Sequence, residues 1–369
     1  MYKSFRVKNF RCFKDLQIND LGRVNLIAGK NNTGKTALLE AMYLLTKPLK
    51  PGVWANLSKW RELHFPGKEP SKHWGLFFYD IDTSLKIEIE AFQTDSQTRS
   101  RLTISQLSYE EKYLHEFREY AELLRREGLT GLEAIQVIAN SDAVLDIELH
   151  SYSDIDSREK RAVLLSHGNQ PVFAGSQVEL ASVFLPVQGR PNEKTAIFQF
   201  SRLDIRNQLP TMIEMLQEFE PGLSDLRLSS PFGEMMIWGR VNGTSKPLKL
   251  MGEGMNRVAH LIITMMTKPK SVIFIDEIEN GIHHSVQREV WKAIGKVARE
   301  LDIQLFATTH SLEMIRAAYE AFAEENRLDE FRYHRLDCDH ETGDIEAVTY
   351  NKRAIEAVAT FDFDFEVRG

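Results

Sequence analysis

The sequence predicts an α/β protein with a mixed, mostly parallel sheet, split by a large insertion that contains strands and short helices. Two observations predict the sheet: helices and strands alternate from Leu250 onward, and the strands among them are apolar on both faces. A third predicts the split. Asp276, which ends one of these strands, follows the glycine-rich loop at Lys35 by 241 residues, far more than one strand-helix-strand unit needs.

The composition is that of an ordinary globular protein. The 369 residues are 43% hydrophobic and 27% charged, with a formal net charge of −7, and at roughly 150 residues per domain the length allows about two domains. No run approaches the roughly 18 apolar residues of a membrane helix, and the first residues alternate charged with apolar side chains. We therefore expect a cytoplasmic protein without membrane partners. Cys12 and Cys338 form no Cys-x-x-Cys pair and are expected to be packing residues.

Residues 1–50 are predicted to form an amino-terminal lobe, with strands at 5–10 and 24–28 and a helix at 35–45. Residues 51–240 are less regular, with Pro-Gly breaks and alternating runs at 84–92 and 144–150 that indicate strands. Within them, at about 105–140, the spacing of apolar residues predicts an insertion of two short amphipathic helices.

Residues 241–369 are predicted to form a carboxy-terminal lobe. Its pattern is helix 257–266, strand 272–275, helix 285–299, strand 303–307 and helix 312–320. The last segment, 331–369, is predicted to be strand, turn, strand, short helix and terminal strand. Since strands that are separated by helices pair in parallel, this lobe is expected to carry most of the parallel sheet.

The strongest local motif is the G-x-x-x-x-G-K-T sequence from Gly29 to Thr36, placed after a strand and at the start of a helix. This context predicts a phosphate-binding loop. Backbone N–H groups of Asn31, Asn32, Thr33 and Gly34 would hold the α- and β-phosphates, Lys35 would reach the β- and γ-phosphates, and Thr36 would bind Mg²⁺. The alternative is a chance glycine-rich turn.

Two further motifs follow apolar strands. Val272–Ile275 ends in Asp276 and Glu277, at the edge where α/β sheets bind ligands. Asp276 would hold Mg²⁺ through its water shell, and Glu277 would orient or deprotonate the attacking water. His310 follows the next strand, 34 residues after Asp276, so the two strands can be neighbours and His310 would lie near the γ-phosphate. Alone, these patterns also fit a solvated acidic turn and a structural histidine.

Two glycine-containing turns flank the acidic strand. Gly252, Glu253 and Gly254 begin a helix whose amino-terminal N–H groups could receive a γ-phosphate from a second protomer, or could simply cap that helix. Asn280 and Gly281 form a turn after the strand, with a left-handed backbone expected there.

In this order the motifs resemble the ATP-binding-cassette type of ATPase. They are similar to its soluble branch, which includes SMC and RecF-like heads and the overcoming-lysogenization-defect (OLD) family. The resemblance covers roughly the first 50 and the last 120 residues. It implies ATP and Mg²⁺ as ligands, a catalytic role for Lys35, Glu277 and His310, a nucleotide contact for Arg11 in the opening strand, and contacts to a second protomer from Gly252–Gly254 and Asn280. Met251 stands where such ATPases have a serine, so the contact would rest on backbone N–H groups.

The resemblance also implies a homodimer that closes on ATP and controls a separately encoded effector, such as a nuclease, in DNA repair or anti-phage defence. OLD relatives often carry a Toprim nuclease; here the sole candidate motif, Asp362-Phe363-Asp364, is better explained as an edge strand. DNA binding is left open, because the basic residues of the insertion alternate with glutamates. The basic residues are Arg99, Arg101, Lys112, Arg118, Arg125 and Arg126.

Two other functions fit the same motifs. One is a nucleotide-gated scaffold that hydrolyses ATP very slowly and signals occupancy to a partner, since the residues for slow and fast hydrolysis look alike. The other is the nucleotide-binding subunit of a membrane transporter, which the Asn9-Phe10-Arg11 opening, the irregular insertion and the signature segment without serine disfavour.

Overall fold

The computed structural model describes residues 1–61, 74–107, 117–139, 141, 143–153, 157–167, 170–175, 180–187, 193–231 and 233–360. The chain forms two compact units that alternate along the sequence. The first comprises Met1–Leu21, Asn32–Leu180 and Leu336–Val348, and the second comprises Gly22–Asn31, Ala181–Arg335 and Thr349–Gly369. The predicted segments 1–50, 51–240 and 241–369 stay a prediction.

The helices and strands follow in chain order. Up to residue 187 they are β1 (Tyr2–Phe10), β2 (Phe13–Asn19), β3 (Val24–Gly29), α1 (Lys35–Thr46), α2 (Pro51–Trp60), β4 (Ile87–Gln93), β5 (Thr98–Gln106), α3 (Phe117–Arg126), α4 (Gly131–Ala139), β6 (Ala143–Tyr152), β7 (Ser157–His167), β8 (Gln170–Gly175) and β9 (Ser182–Leu185). From residue 193 they are α5 (Glu193–Ile205), α6 (Leu209–Gln217), β10 (Leu223–Ser229), β11 (Met236–Val241), β12 (Thr244–Pro247), α7 (Glu253–Thr267), β13 (Val272–Ile275), α8 (Gln287–Glu300), β14 (Gln304–Thr308), α9 (Leu312–Glu324), β15 (Phe331–Cys338), β16 (Ile345–Tyr350) and α10 (Lys352–Thr360).

The first unit contains a seven-stranded sheet in the order β2-β1-β4-β5-β6-β7-β8, in which every neighbouring pair is antiparallel. Strand β4 alternates buried and half-buried residues, as expected of a sheet with one face on a core. Helix α1 is buried along ten of its twelve residues, which fits a helix that is apolar nearly all round.

The predicted helical insertion consists of two short helices, α3 and α4, which form an apolar core with β6, β7 and β8. The turn between them contains Gly128 with φ 99°. Helix α4 begins with a capping box, since Thr130 and Glu133 exchange side-chain and backbone hydrogen bonds. The part of this insertion predicted at 110–116 lies outside the described residues.

The second unit contains the predicted parallel strands. These strands, β3, β14, β13 and β9, run parallel and belong to a six-stranded sheet in the order β16-β15-β3-β14-β13-β9. Ile275 lies opposite both Ala307 and Leu185, and Ala307 lies opposite Leu26. The carboxyl ends of these strands therefore meet at one edge of the sheet, which confirms the predicted mixed, mostly parallel arrangement.

Helices cover the parallel sheet because its strands are apolar on both faces. All residues of β3 and β14 are buried, and α7, α8 and α9 pack with them in one large apolar core. Trp291 of α8 lies inside this core and donates its indole N–H to the Met314 carbonyl of α9. A smaller antiparallel sheet, β10-β11-β12, completes the unit.

The carboxy-terminal segment follows its prediction as far as the structure describes it, with β15, a turn, β16 and α10. The predicted terminal strand, including Asp362-Phe363-Asp364, lies outside the described residues. Among the described residues, no helix combines the length and the apolar character that crossing a membrane requires.

Candidate functional site

The phosphate loop, Gly29 to Thr36, follows β3 and leads into α1. Its turn uses left-handed backbone at Asn32, with φ 67°, and at Gly34, with φ 83°. A Cβ atom on Gly34 would lie 2.6 Å from Cys12 Sγ and 2.7 Å from Phe13 Cζ. Because both the backbone conformation and the close packing exclude a side chain, the loop requires glycine here.

The loop ends at the amino terminus of α1, where Gly34 is the N-cap residue. No side chain caps this terminus, and the first turn contains no acidic residue. Asn31 and Asn32 are exposed, Lys35 and Thr36 are half-buried, and Thr33 is buried. A helix terminus of this kind presents backbone N–H groups and a partial positive charge, the arrangement that binds phosphate in proteins.

Arg11 and Arg61 share one buried carboxylate on α1. Arg11 Nε lies 2.7 Å from Glu40 Oε2, and Arg61 Nε lies 2.9 Å from Glu40 Oε1. Glu40 is fully buried, and the Arg11 guanidinium also lies over the rings of Phe10 and Phe77. Burial lowers the pKa of Arg11, and the Glu40 carboxylate opposes this effect. The Glu40 carboxylate thus ties the residue after β1 and the residue after α2 to the middle of α1.

In the second unit, Asp276 ends β13 and is buried. Its Oδ1 accepts a hydrogen bond of 2.6 Å from Thr308 Oγ1, at the end of the neighbouring strand β14. The same Thr308 oxygen accepts the Glu277 N–H at 2.8 Å. The parallel register of β13 and β14 places Thr308 beside both acidic residues, so one buried hydroxyl fixes the Asp276 carboxylate and the Glu277 backbone together.

Glu277 has a left-handed backbone, with φ 48°, which costs a residue with a side chain roughly 1–2 kcal/mol. Hydrogen bonds at its N–H, its carbonyl and its carboxylate hold it there. Besides the bond to Thr308, its carbonyl accepts from Arg257 Nη2 at 2.9 Å, and its carboxylate Oε2 accepts from Asn280 Nδ2 at 2.8 Å. Strained backbone that the surroundings enforce is typical of functional residues.

His310 lies in the short connection from β14 to α9. Its backbone N–H donates to Glu279 Oε1 at 2.7 Å, and its ring Nδ1 lies 3.0 Å from the same oxygen. The Glu279 side chain is 9% exposed, whereas the His310 ring is 49% exposed. The histidine therefore presents its free face to solvent while a nearly buried carboxylate holds the other face.

The predicted trans-contact segments lie against each other within the second unit. Gly252, with φ 101°, is the N-cap of α7, and no side chain caps it. A Cβ atom on Gly254 would lie 3.0 Å from the Gly281 carbonyl oxygen, and one on Gly281 would lie 3.1 Å from Glu253 Cγ. Both turns thus depend on glycine for their close approach, and Glu253 adds a negative charge at this helix terminus.

A cavity of about 880 Å³ lies in the second unit next to these turns. Its lining includes Arg257 and Asn280, which both donate hydrogen bonds to Glu277, together with Asn256 and His260. Burial lowers the pKa of Arg257, which the Glu279 carboxylate opposes, and burial likewise lowers the pKa of His260.

The donor atoms fit magnesium, which prefers oxygen ligands and is usually held by one or two protein groups together with substrate phosphates. In the second unit, Asp276 offers a buried carboxylate directly after β13; in the first unit, taken by itself, Thr36 offers a hydroxyl at the first turn of α1. Within the described residues, no group of three or more histidine, cysteine, aspartate or glutamate side chains could hold a metal ion by itself.

Three residues that the sequence motifs did not single out as functional hold the predicted ones: Thr308 and Arg257 bind at Asp276 and Glu277, and Glu279 binds His310. Thr308 is two residues before His310, and Glu279 is one residue before Asn280, so both lie next to residues that the sequence predicted. Their hydrogen-bond partners could not be predicted, because each bond spans about thirty residues of chain and depends on the register of two strands.

A known family matches residues 24–316 of the chain, from β3 into α9. It is described as "AAA domain, putative AbiEii toxin, Type IV TA system". Among characterised proteins, an "ATP/GTP phosphatase" from Helicobacter pylori is 25% identical over 348 residues, which cover 88% of this chain and 90% of that protein. "DNA replication and repair protein RecF" from Clostridioides difficile is 46% identical over 44 residues, which are 12% of each chain.

The solved structures that the chain matches include heads of SMC proteins. An SmcHead bound to the C-winged helix domain of ScpA has a TM-score of 0.49 and 11% identity, covering 96% of this chain and 99% of that one. An SMC head domain from Thermotoga maritima has a TM-score of 0.43 and 12% identity, covering 94% and 98%.

The family match covers most of the chain and includes Lys35, Asp276, Glu277 and His310. It agrees with the α/β architecture and with the resemblance found in the motifs. The protein therefore belongs to this AAA-domain family, and the predicted class of P-loop ATPase is confirmed.

Proposed function

We propose that the protein binds and hydrolyses ATP with Mg²⁺, that two copies close around two ATP molecules, and that closure controls a separate effector protein. The observation that carries hydrolysis is the position of Glu277. Its N–H, its carbonyl and its carboxylate are each fixed by a hydrogen bond, while the adjacent Asp276 is fixed through the same Thr308 hydroxyl. Such preorganisation is what water activation requires.

The phosphate loop would bind the nucleotide. Backbone N–H groups of residues 31–34 and the amino terminus of α1 would hold the α- and β-phosphates, and Lys35 would neutralise the β- and γ-phosphates. Arg11 would contribute charge rather than a free side chain, because Glu40 already holds its guanidinium.

The residues at the end of β13 would carry the reaction. Asp276 and Thr36 would hold Mg²⁺, which when bound neutralises the charge on the phosphate oxygens. Glu277 would take a proton from the attacking water or orient it in line with the γ-phosphate, and His310 would hydrogen-bond the γ-phosphate from its exposed face. Each role matches the exposure of its side chain: Asp276 is buried, whereas Glu277 and His310 are partly accessible.

Dimer closure would use Gly252–Gly254, the amino terminus of α7, to bind the γ-phosphate held by a second copy. The absence of a capping side chain at Gly252 supports this role. Glu253 opposes an anion at the same place. The contact would therefore depend on bound Mg²⁺-ATP, whose metal ion offsets that charge, and would be weak with nucleotide-free protein.

We propose DNA repair or anti-phage defence as the setting, with the effector, for example a nuclease, encoded separately and the complex located in the cytoplasm. The naming of the family after a toxin system and of one relative after DNA repair supports this setting. DNA binding through the basic residues of the insertion gains little support. Arg101 pairs with Glu90 at 2.6 Å and Arg125 with Glu122 at 3.6 Å; Lys112 lies outside the described residues.

The first test is ATP turnover of the wild type and of Glu277→Gln with Mg²⁺. We expect the variant to bind ATP and to lose at least about 100-fold in kcat, because the amide cannot accept a proton from water. Glu300→Gln, at the exposed end of α8, is the matched control and should turn over like the wild type. Wild-type turnover by Glu277→Gln would contradict the assigned role.

The second test is the assembly state of the same proteins by sedimentation. We expect Glu277→Gln to be dimeric with Mg²⁺-ATP and monomeric without nucleotide, since it cannot leave the closed state by hydrolysis. A Glu277→Gln protein that stays monomeric with saturating ATP would contradict the closure proposal and leave the hydrolysis proposal intact.

One observation favours the slow-hydrolysing scaffold as a second candidate. The Glu277 carboxylate accepts a hydrogen bond from Asn280 in the same chain, which engages the oxygen Oε2 that an attacking water would otherwise contact. A scaffold would bind ATP tightly and hydrolyse it negligibly with or without DNA or a partner, whereas a regulated ATPase would be stimulated by one of them. Turnover measured under these conditions separates the two.

A further inference from the structure

The Glu279 carboxylate has no described hydrogen-bonding partner other than His310. Its Oε1 accepts the His310 backbone N–H at 2.7 Å and lies 3.0 Å from the ring Nδ1. Its Oε2 is buried and has no hydrogen-bond partner among the described residues. Burying a carboxylate costs free energy unless hydrogen bonds or ion pairs compensate it. The two contacts with His310 are therefore the described interactions that offset the burial of Glu279.

The backbone around His310 is fixed independently of Glu279. On one side, the Thr309 N–H donates to the Ile27 carbonyl at 2.9 Å. On the other, Ser311 caps α9 by accepting the Met314 N–H at 3.1 Å. These contacts hold the backbone on both sides of His310. Glu279 adds one contact to the His310 N–H and one to the ring, and the second is the contact that bears on the orientation of the imidazole.

The orientation has a chemical consequence. With a carboxylate oxygen beside Nδ1, the neutral ring carries its proton on Nδ1, and Nε2 becomes the atom that faces outward. The ring is 49% exposed, so Nε2 is the position that can meet a phosphate oxygen or a water molecule. A carboxylate behind a histidine plays the same part in other catalytic sites, where it fixes the tautomer and the ring plane.

We infer that Glu279 is a positioning residue for His310: its Oε1 holds Nδ1–H and thereby aims Nε2 at the γ-phosphate. This inference rests on the proposed function of His310. It predicts that Glu279 acts on catalysis only through the His310 ring, and that any side chain with an acceptor oxygen at the same place can substitute for it. A purely structural Glu279, which only caps the His310 backbone N–H, would act independently of the ring.

The test is a double-mutant cycle with Glu279→Ala, His310→Ala and the double variant, measured as kcat and KM for Mg²⁺-ATP. Misplacing a catalytic group can cost about 100-fold in rate, so we expect each single variant to lose up to that factor in kcat with KM changed by less than about threefold. The double variant should lose no more than His310→Ala alone, because the two residues act as one unit.

Glu279→Gln provides the rescue. Its amide oxygen can accept both His310 contacts, so we expect kcat within about fivefold of the wild type. Glu320→Ala, an exposed glutamate of α9, is the matched control, and the Tm of every variant identifies loss of folding. Three results would overturn the inference: unchanged kcat in Glu279→Ala, losses that multiply in the double variant, or a Glu279→Gln rate as low as that of Glu279→Ala.

A nuclear magnetic resonance measurement tests the geometry without turnover. In protein labelled with ¹⁵N-histidine, the His310 signals are assigned by difference with His310→Ala. At about pH 8, where an ordinary histidine is neutral, we expect the proton of His310 on Nδ1 in the wild type and a shift toward the Nε2 tautomer in Glu279→Ala. The Nε2 tautomer in the wild type would overturn the inference.

The outcomes separate this inference from the proposed function. If the wild type turns over ATP and Glu279→Ala behaves like it, this inference fails and the proposed function stands. If the wild type does not turn over ATP, the proposed function fails and the tautomer still decides the geometry.

Discussion

The phosphate loop and the end of β13 are built by different means. The loop takes its shape from backbone conformation and close packing, with Gly34 pressed against Cys12 and Phe13. The acidic end takes its shape from side-chain hydrogen bonds, with Thr308 and Asn280 holding Glu277. Substitutions in the loop should therefore remove nucleotide binding, whereas substitutions around Glu277 should leave binding intact and slow hydrolysis.

The largest expected effect is that of Gly34→Ala. The added Cβ would lie within 2.7 Å of two side chains at a left-handed backbone position, so the loop must shift. We expect the affinity for ATP to fall by more than about 100-fold, because the N–H groups no longer converge on the phosphates. Isothermal titration calorimetry measures the dissociation constant for ATP.

Gly128→Ala is the matched control for that variant. Gly128 also has a left-handed backbone, with φ 99°, but its Cβ would meet nothing within 4 Å. We expect it to cost about 1 kcal/mol of stability and no ATP affinity. If both variants lost affinity equally, strain in the first unit as a whole, and not the fit of Gly34, would explain the result.

Glu40→Gln tests whether the first unit also depends on side-chain pairing. The substitution removes the charge that Arg11 and Arg61 share, and loss of one partner of a buried ion pair typically costs about 3 kcal/mol. We expect the free energy of unfolding, measured by urea denaturation, to fall by about that amount, with a lower midpoint. Glu88→Gln, whose partner Lys8 lies 3.9 Å away on the surface, should cost less than about 1 kcal/mol. Equal midpoints for the two variants would contradict a structural role for the arginine pair.

Thr308→Val tests the hydrogen bonds at the end of β13, and its expected effect is smaller. Valine keeps the shape of threonine but removes both hydrogen bonds, leaving the Glu277 N–H and Asp276 with one partner fewer. We expect a stability loss of about 1–3 kcal/mol and a kcat loss of about tenfold or more, with ATP affinity near that of the wild type.

Thr264→Val controls for the loss of a buried hydroxyl. Thr264 lies in α7, is buried, and donates to the His260 carbonyl of its own helix. It should keep the wild-type kcat. A Thr308→Val protein that differs from Thr264→Val in neither stability nor kcat would show that Thr308 does not position the acidic residues.

The sequence predicted the features that depend on short, contiguous patterns. The phosphate loop is eight consecutive residues between a strand and a helix, and the strand Val272–Ile275 was predicted with the bounds that the structure has. The 34-residue spacing to His310 correctly predicted that β13 and β14 are neighbours. The roles of the individual site residues stay predictions until they are measured.

The sequence did not reveal the features that depend on distant pairings. Strand β1 pairs with β4, some eighty residues later, inside a seven-stranded antiparallel sheet. Each strand shows only local alternation, which carries no information about its partner. For the same reason the sequence did not predict the contacts of Thr308 with Asp276 and of Glu279 with His310. A threonine or a glutamate near a strand end is most often exposed to solvent.

The most direct test of the difference between the two regions is one pair of measurements, ATP affinity and kcat, made on Gly34→Ala and Glu277→Gln in parallel. We predict that Gly34→Ala loses ATP binding, and that Glu277→Gln binds ATP at least as tightly as the wild type while its turnover falls by about 100-fold or more. A Glu277→Gln protein that hydrolyses ATP at the wild-type rate, or a Gly34→Ala protein with unchanged affinity, would contradict the account.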